Sequence, residues 1–145
     1  MQWKGIGMIS ENELVRMAID AMKSAYAPYS GYQVGAALLC EDGSIYTGCN
    51  IENASYTPTV CAERVAIFKA VSEGKRGFVR IAVCGGKDGV ITGAFPPCGV
   101  CRQVMSEFCR SNFEILIITG EKPQKYDLYH LDELLPLRFT PQHLE

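Results

Sequence analysis

Two short cysteine motifs, far apart in the chain, place the strongest constraint on how it can fold. Cys61 lies two residues before Glu63, and a Cys-x-x-Cys pair follows Pro97 at Cys98 and Cys101. Three thiolates and one acid that need not be a ligand are the inventory of a catalytic zinc site, in which three protein ligands leave a fourth tetrahedral corner open. The fold must therefore bring the two motifs together, although Cys98 lies 37 positions after Cys61.

Length and composition indicate one globular domain and limit the kinds of partner. With 145 residues, 48% hydrophobic and 21% charged, the chain can bury a core as a single domain spanning 1–145. A net charge of −2 does not supply the basic surface of a nucleic-acid-binding protein, so we expect no polynucleotide partner. Met1–Ile9 has no apolar run of signal-peptide length and no segment approaches a bilayer span, so we expect no membrane partner and a cytoplasmic location.

Seven cysteines are many for a chain of this size. Their odd number and the expected cytoplasmic location favour free thiols and metal ligands over a disulfide framework. The four outside the two motifs lie in apolar surroundings and are interpreted as small core residues, namely Cys40, Cys49, Cys84 and Cys109.

Hydrophobic periodicity and turn signals predict helices alternating with strands. Ser10 begins a capping box, and helical spacing continues to Ala25 before Pro28. Asp42-Gly43 between two short apolar runs predicts a β-hairpin, and the small residues at 35–37 indicate a helix packed closely on its first strand. We predict further helices over 60–71, 98–111 and 130–136, strands over 34–40, 45–49, 78–84, 113–119 and 126–129, and a loop over 85–97. This order predicts an α/β fold in which helices cover a mixed five-stranded sheet.

The predicted helix starts explain how the motif residues could act together. Free backbone N–H groups and the dipole at a helix N-terminus stabilise thiolates, the form that zinc binds. Side chains there lean back over the helix end, so Cys61 and Glu63 can both reach a metal. Glu63 could then serve as general base and general acid, although it could also merely complement the helix dipole. Three thiolates would leave the zinc site with a charge of −1, and we assign Arg64 a charge-balancing role.

Other interpretations of these motifs remain open. Cys98 and Cys101 at a helix start could form a dithiol redox centre, although this would leave Cys61 and Glu63 without a role. A purely structural zinc site would need a fourth protein ligand. The polar segment 50–58, between a strand and the first motif, is a candidate binding loop, although loops of this composition are often only solvated.

Most of the chain resembles the small cytidine deaminases that act on free pyrimidine nucleosides. The matching segments are Tyr29-Ser30 with Val34-Gly35-Ala36-Ala37-Leu38, Gly48-Cys49-Asn50-Ile51-Glu52-Asn53-Ala54 with Tyr56, Cys61-Ala62-Glu63-Arg64, Pro97-Cys98-Gly99-Val100-Cys101-Arg102-Gln103, and Leu134-Leu135-Pro136 with Phe139. The resemblance implies a three-layer α-β-α cytidine deaminase-like fold. It implies zinc-dependent hydrolytic deamination of cytidine and 2′-deoxycytidine to uridine and 2′-deoxyuridine, with release of ammonia, in pyrimidine salvage. It further implies one Zn²⁺ per chain on Cys61, Cys98 and Cys101, with Glu63 as the proton shuttle.

The resemblance also implies a set of substrate contacts. Asn50 and Glu52 match a pair that hydrogen-bonds the ribose 3′-hydroxyl, and Ala54 matches a position whose backbone contacts the base. Tyr32 matches a phenylalanine that stacks near the base. Tyr56 and Phe139 match aromatic positions that neighbouring subunits of a homotetramer contribute to a site.

The chain departs from the family pattern at the edge of this site. Gln33 stands where a proline is frequent, Tyr32 replaces phenylalanine, and Thr57-Pro58-Thr59 is an unusual run into the first motif. Blasticidin S deaminases share the cysteine framework and a similar Leu-Leu-Pro tail. The segment 50–54 is nevertheless more similar to cytidine deaminases.

Overall fold

In the computed structural model of the protein, the residues described are 8–145. Its helices and strands are α1 (Glu11–Met22), β1 (Tyr32–Cys40), β2 (Ile45–Cys49), α2 (Ala62–Ser72), β3 (Phe78–Lys87), β4 (Val90–Gly93), α3 (Gly99–Phe108), β5 (Glu114–Glu121), β6 (Gln124–His130), α4 (Leu131–Leu134) and a 3₁₀ helix (Pro141–Leu144). Most of Met1–Ile9, which we used to argue against a signal peptide, lies outside the described residues. Within 8–145, every helix is too short or too polar to cross a bilayer.

A mixed sheet forms the middle layer. Its strand order is β2-β1-β3-β5-β6, with β4 paired to the end of β3; β3 and β5 are parallel and the other pairs are antiparallel. Because side chains alternate along a strand, β3 serves both faces. Ile81 and Val83 pack with α2 and α3, whereas Ala82 and Cys84 pack with α1. The predicted three-layer α-β-α fold is confirmed, with one strand more than the five expected.

Glycines on β1 and β2 let helices approach the sheet closely. A Cβ at Gly35 would lie 2.1 Å from the carbonyl oxygen of Ala18 on α1, and one at Gly48 would lie 2.3 Å from that of Ala62 on α2. Both distances are far below van der Waals contact, so only glycine allows these separations. The close packing predicted for the first strand is confirmed, and Gly48 sets the height of the α2 N-terminus above the sheet.

The first helix begins as predicted but ends earlier. The Ser10 side chain accepts a hydrogen bond from the Glu13 N–H at 3.2 Å, which confirms the cap. The helix stops at Met22 instead of Ala25. The Tyr26 N–H donates to the Asn50 carbonyl at 3.0 Å, so pairing with a distant loop draws the chain into extended conformation.

The segment 85–97, predicted to be a loop, contains a β-hairpin. The chain continues in β3 to Lys87, turns through Asp88 and Gly89, and returns as β4. Both turn residues have positive φ, 53° and 75°, which is the requirement of a type I′ turn and the reason Asp-Gly is favoured there. The loop prediction was therefore wrong, although the same dipeptide correctly predicted the hairpin at Asp42-Gly43.

The cysteines outside the motifs behave as core residues with one exception. Cys40, Cys84 and Cys109 are buried, as predicted. Cys49 is only partly buried because it ends β2, the edge strand of the sheet.

Candidate metal centre and substrate cleft

The three predicted zinc ligands lie together where two helices begin. Cys61 is the N-cap residue of α2, Cys98 is the N-cap residue of α3, and Cys101 lies in the first turn of α3. Cys61 and Cys98 therefore stand one residue before the first helical turn, whereas the predicted helices included them. The three sulfur atoms lie within 4.8 Å of one another, and the Sγ atoms of Cys61 and Cys98 are 3.7 Å apart.

The spacing of these sulfurs suits a tetrahedral zinc ion. Zn–S bonds of about 2.3 Å at tetrahedral angles place neighbouring sulfurs about 3.8 Å apart. The Cys61–Cys98 separation of 3.7 Å agrees with this geometry. Among residues 8–145, no fourth histidine, cysteine or acidic side chain joins the group, so the site has the open form of a catalytic centre. A purely structural four-ligand site is not formed, and a dithiol centre would not account for Cys61.

Arg64 lies against this cluster. Its Nη2 donates to the Cys61 sulfur at 3.4 Å. Hydrogen bonds from Cys101 and Arg64 lower the pKa of the Cys61 thiol to about 5, which favours the thiolate form that a metal binds. The hydrogen bond with Cys61, together with burial, raises the pKa of Cys101. The Arg64 Nε is buried without a hydrogen-bond partner in the described part of the chain, so the guanidinium faces the sulfurs at some cost in desolvation.

Glu63 is a buried carboxylic acid in the first turn of α2. Its side chain is 3% exposed, two residues beyond Cys61. Burial, and to a lesser extent the negative charge of the neighbouring Cys61 thiolate, raises the pKa of Glu63 to about 7. A carboxyl group with a pKa near neutrality can both accept and release a proton, which general acid–base catalysis requires.

A cleft leads to this carboxylate. Its inner cavity, of about 220 Å³, is lined by Val34, Asn50, Thr59, Val60, Cys61, Glu63, Phe95, Pro96 and Cys98. Its outer cavity, of about 350 Å³, is lined by Tyr29, Ser30, Glu52, Asn53, Tyr56 and Thr59. Because Thr59 lines both, the two cavities adjoin. Their joint size falls in the range of roughly 300–1,000 Å³ that is typical of small-molecule sites.

Asn50 lines the inner cavity and Glu52 the outer one. The Asn50 amide donates to the Tyr32 carbonyl at 2.8 Å and accepts a backbone N–H of β1 at 2.8 Å. Glu52 accepts the backbone N–H groups of Tyr29 and Ser30 at 2.9 and 3.1 Å, and the Ser30 hydroxyl as well. These hydrogen bonds, that of the Ser30 hydroxyl above all, lower the pKa of Glu52. Both side chains are thereby held in one orientation, as a preorganised site requires.

The aromatic residues expected from the resemblance lie at the surface. Tyr56 lines the outer cavity and is 73% exposed, with its ring edge-to-face to Tyr29. Phe139 is 55% exposed, and its carbonyl accepts a hydrogen bond from Gln103 of α3 at 2.9 Å. Neither Phe139 nor Ala54 is among the residues that line the two cavities of this chain.

Phe95 is the aromatic residue in the wall of the inner cavity, and the sequence analysis gave it no role. Tyr32, which was expected to stack near the base, is not among the residues that line this cavity, and its ring centroid lies 5.9 Å from that of Phe95. The sequence signal for Phe95 was a large aromatic side chain in a glycine- and proline-rich segment, immediately before Pro96-Pro97-Cys98. Thr59 was noted only as a departure, yet it joins the two cavities.

Comparisons with known proteins agree with this geometry. The family model described as cytidine and deoxycytidylate deaminase zinc-binding region matches residues 8–117. The chain is 47% identical to a cytidine deaminase of Halalkalibacterium halodurans over 131 residues, 90% of this chain and 95% of the relative. It is 32% identical to a blasticidin-S deaminase of Bacillus cereus over 133 residues, 88% of this chain and 91% of that one. The crystal structure of a cytidine deaminase from Burkholderia pseudomallei matches with a TM-score of 0.81 and 41% identity, covering 90% of this chain and all of that one. The chain therefore belongs to the cytidine and deoxycytidylate deaminase family.

Proposed function

We propose that this protein is a zinc-dependent cytidine deaminase that converts cytidine and 2′-deoxycytidine to uridine and 2′-deoxyuridine in pyrimidine salvage. The observation that carries the proposal is the position of Glu63. Its buried carboxyl group lies beside three clustered cysteine sulfurs, in a cavity that opens toward Asn50 and Glu52. This arrangement provides both the reacting groups and a place for the ribose.

Cys61, Cys98 and Cys101 would hold one zinc ion per chain. Bound there, zinc would supply Lewis-acid chemistry, polarising a water molecule so that it becomes a nucleophile near neutral pH. Arg64 offsets the negative charge of three thiolates, since its Nη2 already lies 3.4 Å from the Cys61 sulfur. We assign it this charge-balancing role.

Glu63 moves the protons. Its carboxylate accepts a proton from the attacking water, whose oxygen forms a bond to C4 of the pyrimidine. It then delivers that proton to N3. A second proton, taken from the new hydroxyl group, passes to the amino group, which leaves as ammonia when the C4–N bond breaks. The burial of Glu63 keeps bulk water away from these transfers.

Asn50 and Glu52 are proposed to bind the ribose 3′-hydroxyl. The Asn50 amide retains a second N–H after bonding the Tyr32 carbonyl, and a carboxylate accepts more hydrogen bonds than the three given to Glu52. A hydroxyl group can use both at once, since it accepts one hydrogen bond and donates another. Ala54, in the same loop, is proposed to contact the base through its backbone.

We also propose a homotetramer in the cytoplasm. The exposed rings of Tyr56 and Phe139 support the assembly, because aromatic side chains exposed on a monomer are frequently buried by a partner. Each would then complete a site in a neighbouring subunit. The net charge of −2 supports a free nucleoside over a nucleic acid polymer as substrate. Measuring the mass in solution by light scattering tests the assembly, and a monomer would refute it.

The activity is tested by following the ultraviolet change as cytidine becomes uridine, beside 2′-deoxycytidine and blasticidin S. Turnover of both nucleosides with about one zinc per chain is expected. Glu63→Gln should retain zinc and lose turnover by about 10²–10⁴-fold, the usual contribution of general acid–base catalysis. Glu73→Gln, the same change at the other end of α2, is the control.

Two outcomes of this assay would replace the proposal. Turnover of blasticidin S without turnover of cytidine would assign the chain to the antibiotic-inactivating branch. Zinc binding without turnover of any aminopyrimidine would make it a nucleoside-binding module. Near-normal activity of Glu63→Gln would remove the assigned proton shuttle.

A further inference from the structure

Phe95 faces the cleft from the segment between β4 and α3. It is partly buried and lines the inner cavity together with Glu63 and two of the cysteines. Pro96 and Pro97 follow it, and the next residue is Cys98, the N-cap of α3. Since prolines restrict the backbone, the position of the Phe95 ring is closely tied to that of Cys98.

Gly85 on β3 provides the space for this ring. It follows Ile81 and Val83 at two-residue spacing, so a side chain at position 85 would point to the same face of the sheet, the face covered by α2 and α3. A Cβ at Gly85 would lie 2.3, 2.5 and 2.7 Å from three atoms of the Phe95 ring. The ring therefore rests directly on the backbone of β3, and any larger residue at position 85 would push it toward the cavity or out of it.

Tyr32 packs against the Phe95 ring. The two ring centroids are 5.9 Å apart with an interplanar angle of 48°, and the Lys87 Nζ lies 4.8 Å from the Tyr32 centroid. Tyr32 is 44% exposed and is not among the residues lining the inner cavity. Among the described residues of this chain, the aromatic side chain in the wall of the inner cavity is thus that of Phe95.

We propose that Phe95 is the specificity-determining residue of the base pocket, with Gly85 as its positioning residue. The phenyl ring packs against the pyrimidine and narrows the cavity so that unsubstituted aminopyrimidines fit and ring-substituted ones are disfavoured. This proposal rests on the proposed deaminase function. It assigns the aromatic contact of this chain with the base to Phe95 and not to Tyr32, with Gly85 acting only through the position of the Phe95 ring.

Phe95→Val tests the assignment with cytidine, 5-methylcytidine and 5-bromocytidine as substrates. We expect the KM for cytidine to rise about tenfold or more, as for other lost pocket contacts, with a smaller change in kcat. The ratio of kcat/KM for at least one substituted substrate to that for cytidine should rise about tenfold. Zinc content and Tm should stay near those of the wild type. Tyr32→Val is the matched control, and it should change that ratio less than Phe95→Val does.

A double-mutant cycle tests the role of Gly85. Gly85→Ala should raise the KM for cytidine in the wild-type background, because the methyl group displaces the ring. In the Phe95→Ala background the same change should have little effect on KM, because no ring remains to be displaced. An equal effect of Gly85→Ala in both backgrounds would overturn the positioning role.

Outcomes for the two proposals are distinguishable. If the wild-type protein does not turn over cytidine, the proposed function fails. If the wild type is active and Phe95→Val leaves both the KM and the substrate ratio unchanged, only the Phe95 proposal fails. A larger effect of Tyr32→Val on the substrate ratio would return the base contact to Tyr32.

Discussion

Replacing Gly48 by alanine should separate the stability of this fold from the geometry of its site. The added Cβ would lie 2.3 Å from the Ala62 carbonyl oxygen and 2.7 Å from the Ala66 nitrogen, both in the α2 backbone. Restoring an ordinary contact of at least 3.4 Å requires α2 to withdraw. The helix must move by about 1 Å, the difference between 2.3 Å and 3.4 Å, because the close-packed interior has no spare space to take up the methyl group. Cys61 and Glu63, at the α2 N-terminus, would move away from Cys98 and Cys101 on α3.

This movement should lower both the stability of the protein and its turnover. Overpacking of this kind costs about 1–3 kcal/mol of unfolding free energy. For a domain of this size that lowers Tm by roughly 3–10 °C. A displacement of catalytic groups by 1 Å can reduce turnover about 100-fold. We therefore expect Gly48→Ala to fold with a lowered Tm, bind zinc more weakly, and lose most of its kcat.

Gly35→Ala is the control. Its Cβ would be equally close to a helix, 2.1 Å from the Ala18 carbonyl oxygen, but α1 carries none of the site residues. Calorimetry should give a similar loss of Tm for both variants, while the deaminase assay below that Tm should find kcat reduced chiefly in Gly48→Ala. Unchanged Tm and kcat in Gly48→Ala, or an equal loss of kcat in both variants, would refute this reasoning.

Three further changes test individual contacts. Arg64→Ala should lose zinc about 10–100-fold more readily to a competing chelator, as other partners of metal ligands do, whereas Arg76→Ala should not; unchanged zinc retention and turnover would remove the charge-balancing role. Cys98→Ser should fall well below one zinc per chain by elemental analysis, whereas Cys109→Ser, a buried cysteine away from the cluster, should keep its zinc; full zinc occupancy in Cys98→Ser would exclude it as a ligand. Glu52→Gln should raise the KM for cytidine and reduce the preference for cytidine over 3′-deoxycytidine, because only the Asn50 contact with the 3′-hydroxyl is retained; an unchanged preference would place the 3′-hydroxyl elsewhere.

Local rules made much of the fold predictable. The Ser10 cap, the hairpin at Asp42-Gly43 and the apolar helix after Cys61 each depend on neighbours within a few residues. The zinc ligands could be recognised because three cysteines at the starts of two helices, with an acid that is not a ligand, suit few other purposes. The roles of Asn50 and Glu52 rested on resemblance, and they remain predictions.

Other features depend on contacts between residues far apart in the chain. The first helix ends at Met22 because Tyr26 pairs with the Asn50 loop, which no helical periodicity encodes. The hairpin at Asp88-Gly89 was missed because glycines at its base hid the alternating pattern of a strand. Likewise, the sequence contains both Tyr32 and Phe95, and only the packing of the sheet and the 94–98 segment decides which aromatic side chain lines the cavity.

The amino-acid sequence alone thus determined the chemistry: which atoms could bind zinc, which acid could move protons, and where the helices and strands that carry them begin. The tertiary structure alone decided the distances between these groups and the residues that line the cavity. It brought the Cys61 and Cys98 sulfurs to 3.7 Å from each other and packed the Phe95 ring against Gly85. The physical reason is that ligand type and capping are properties of short segments, whereas a cavity is the space left when separate layers pack to contact.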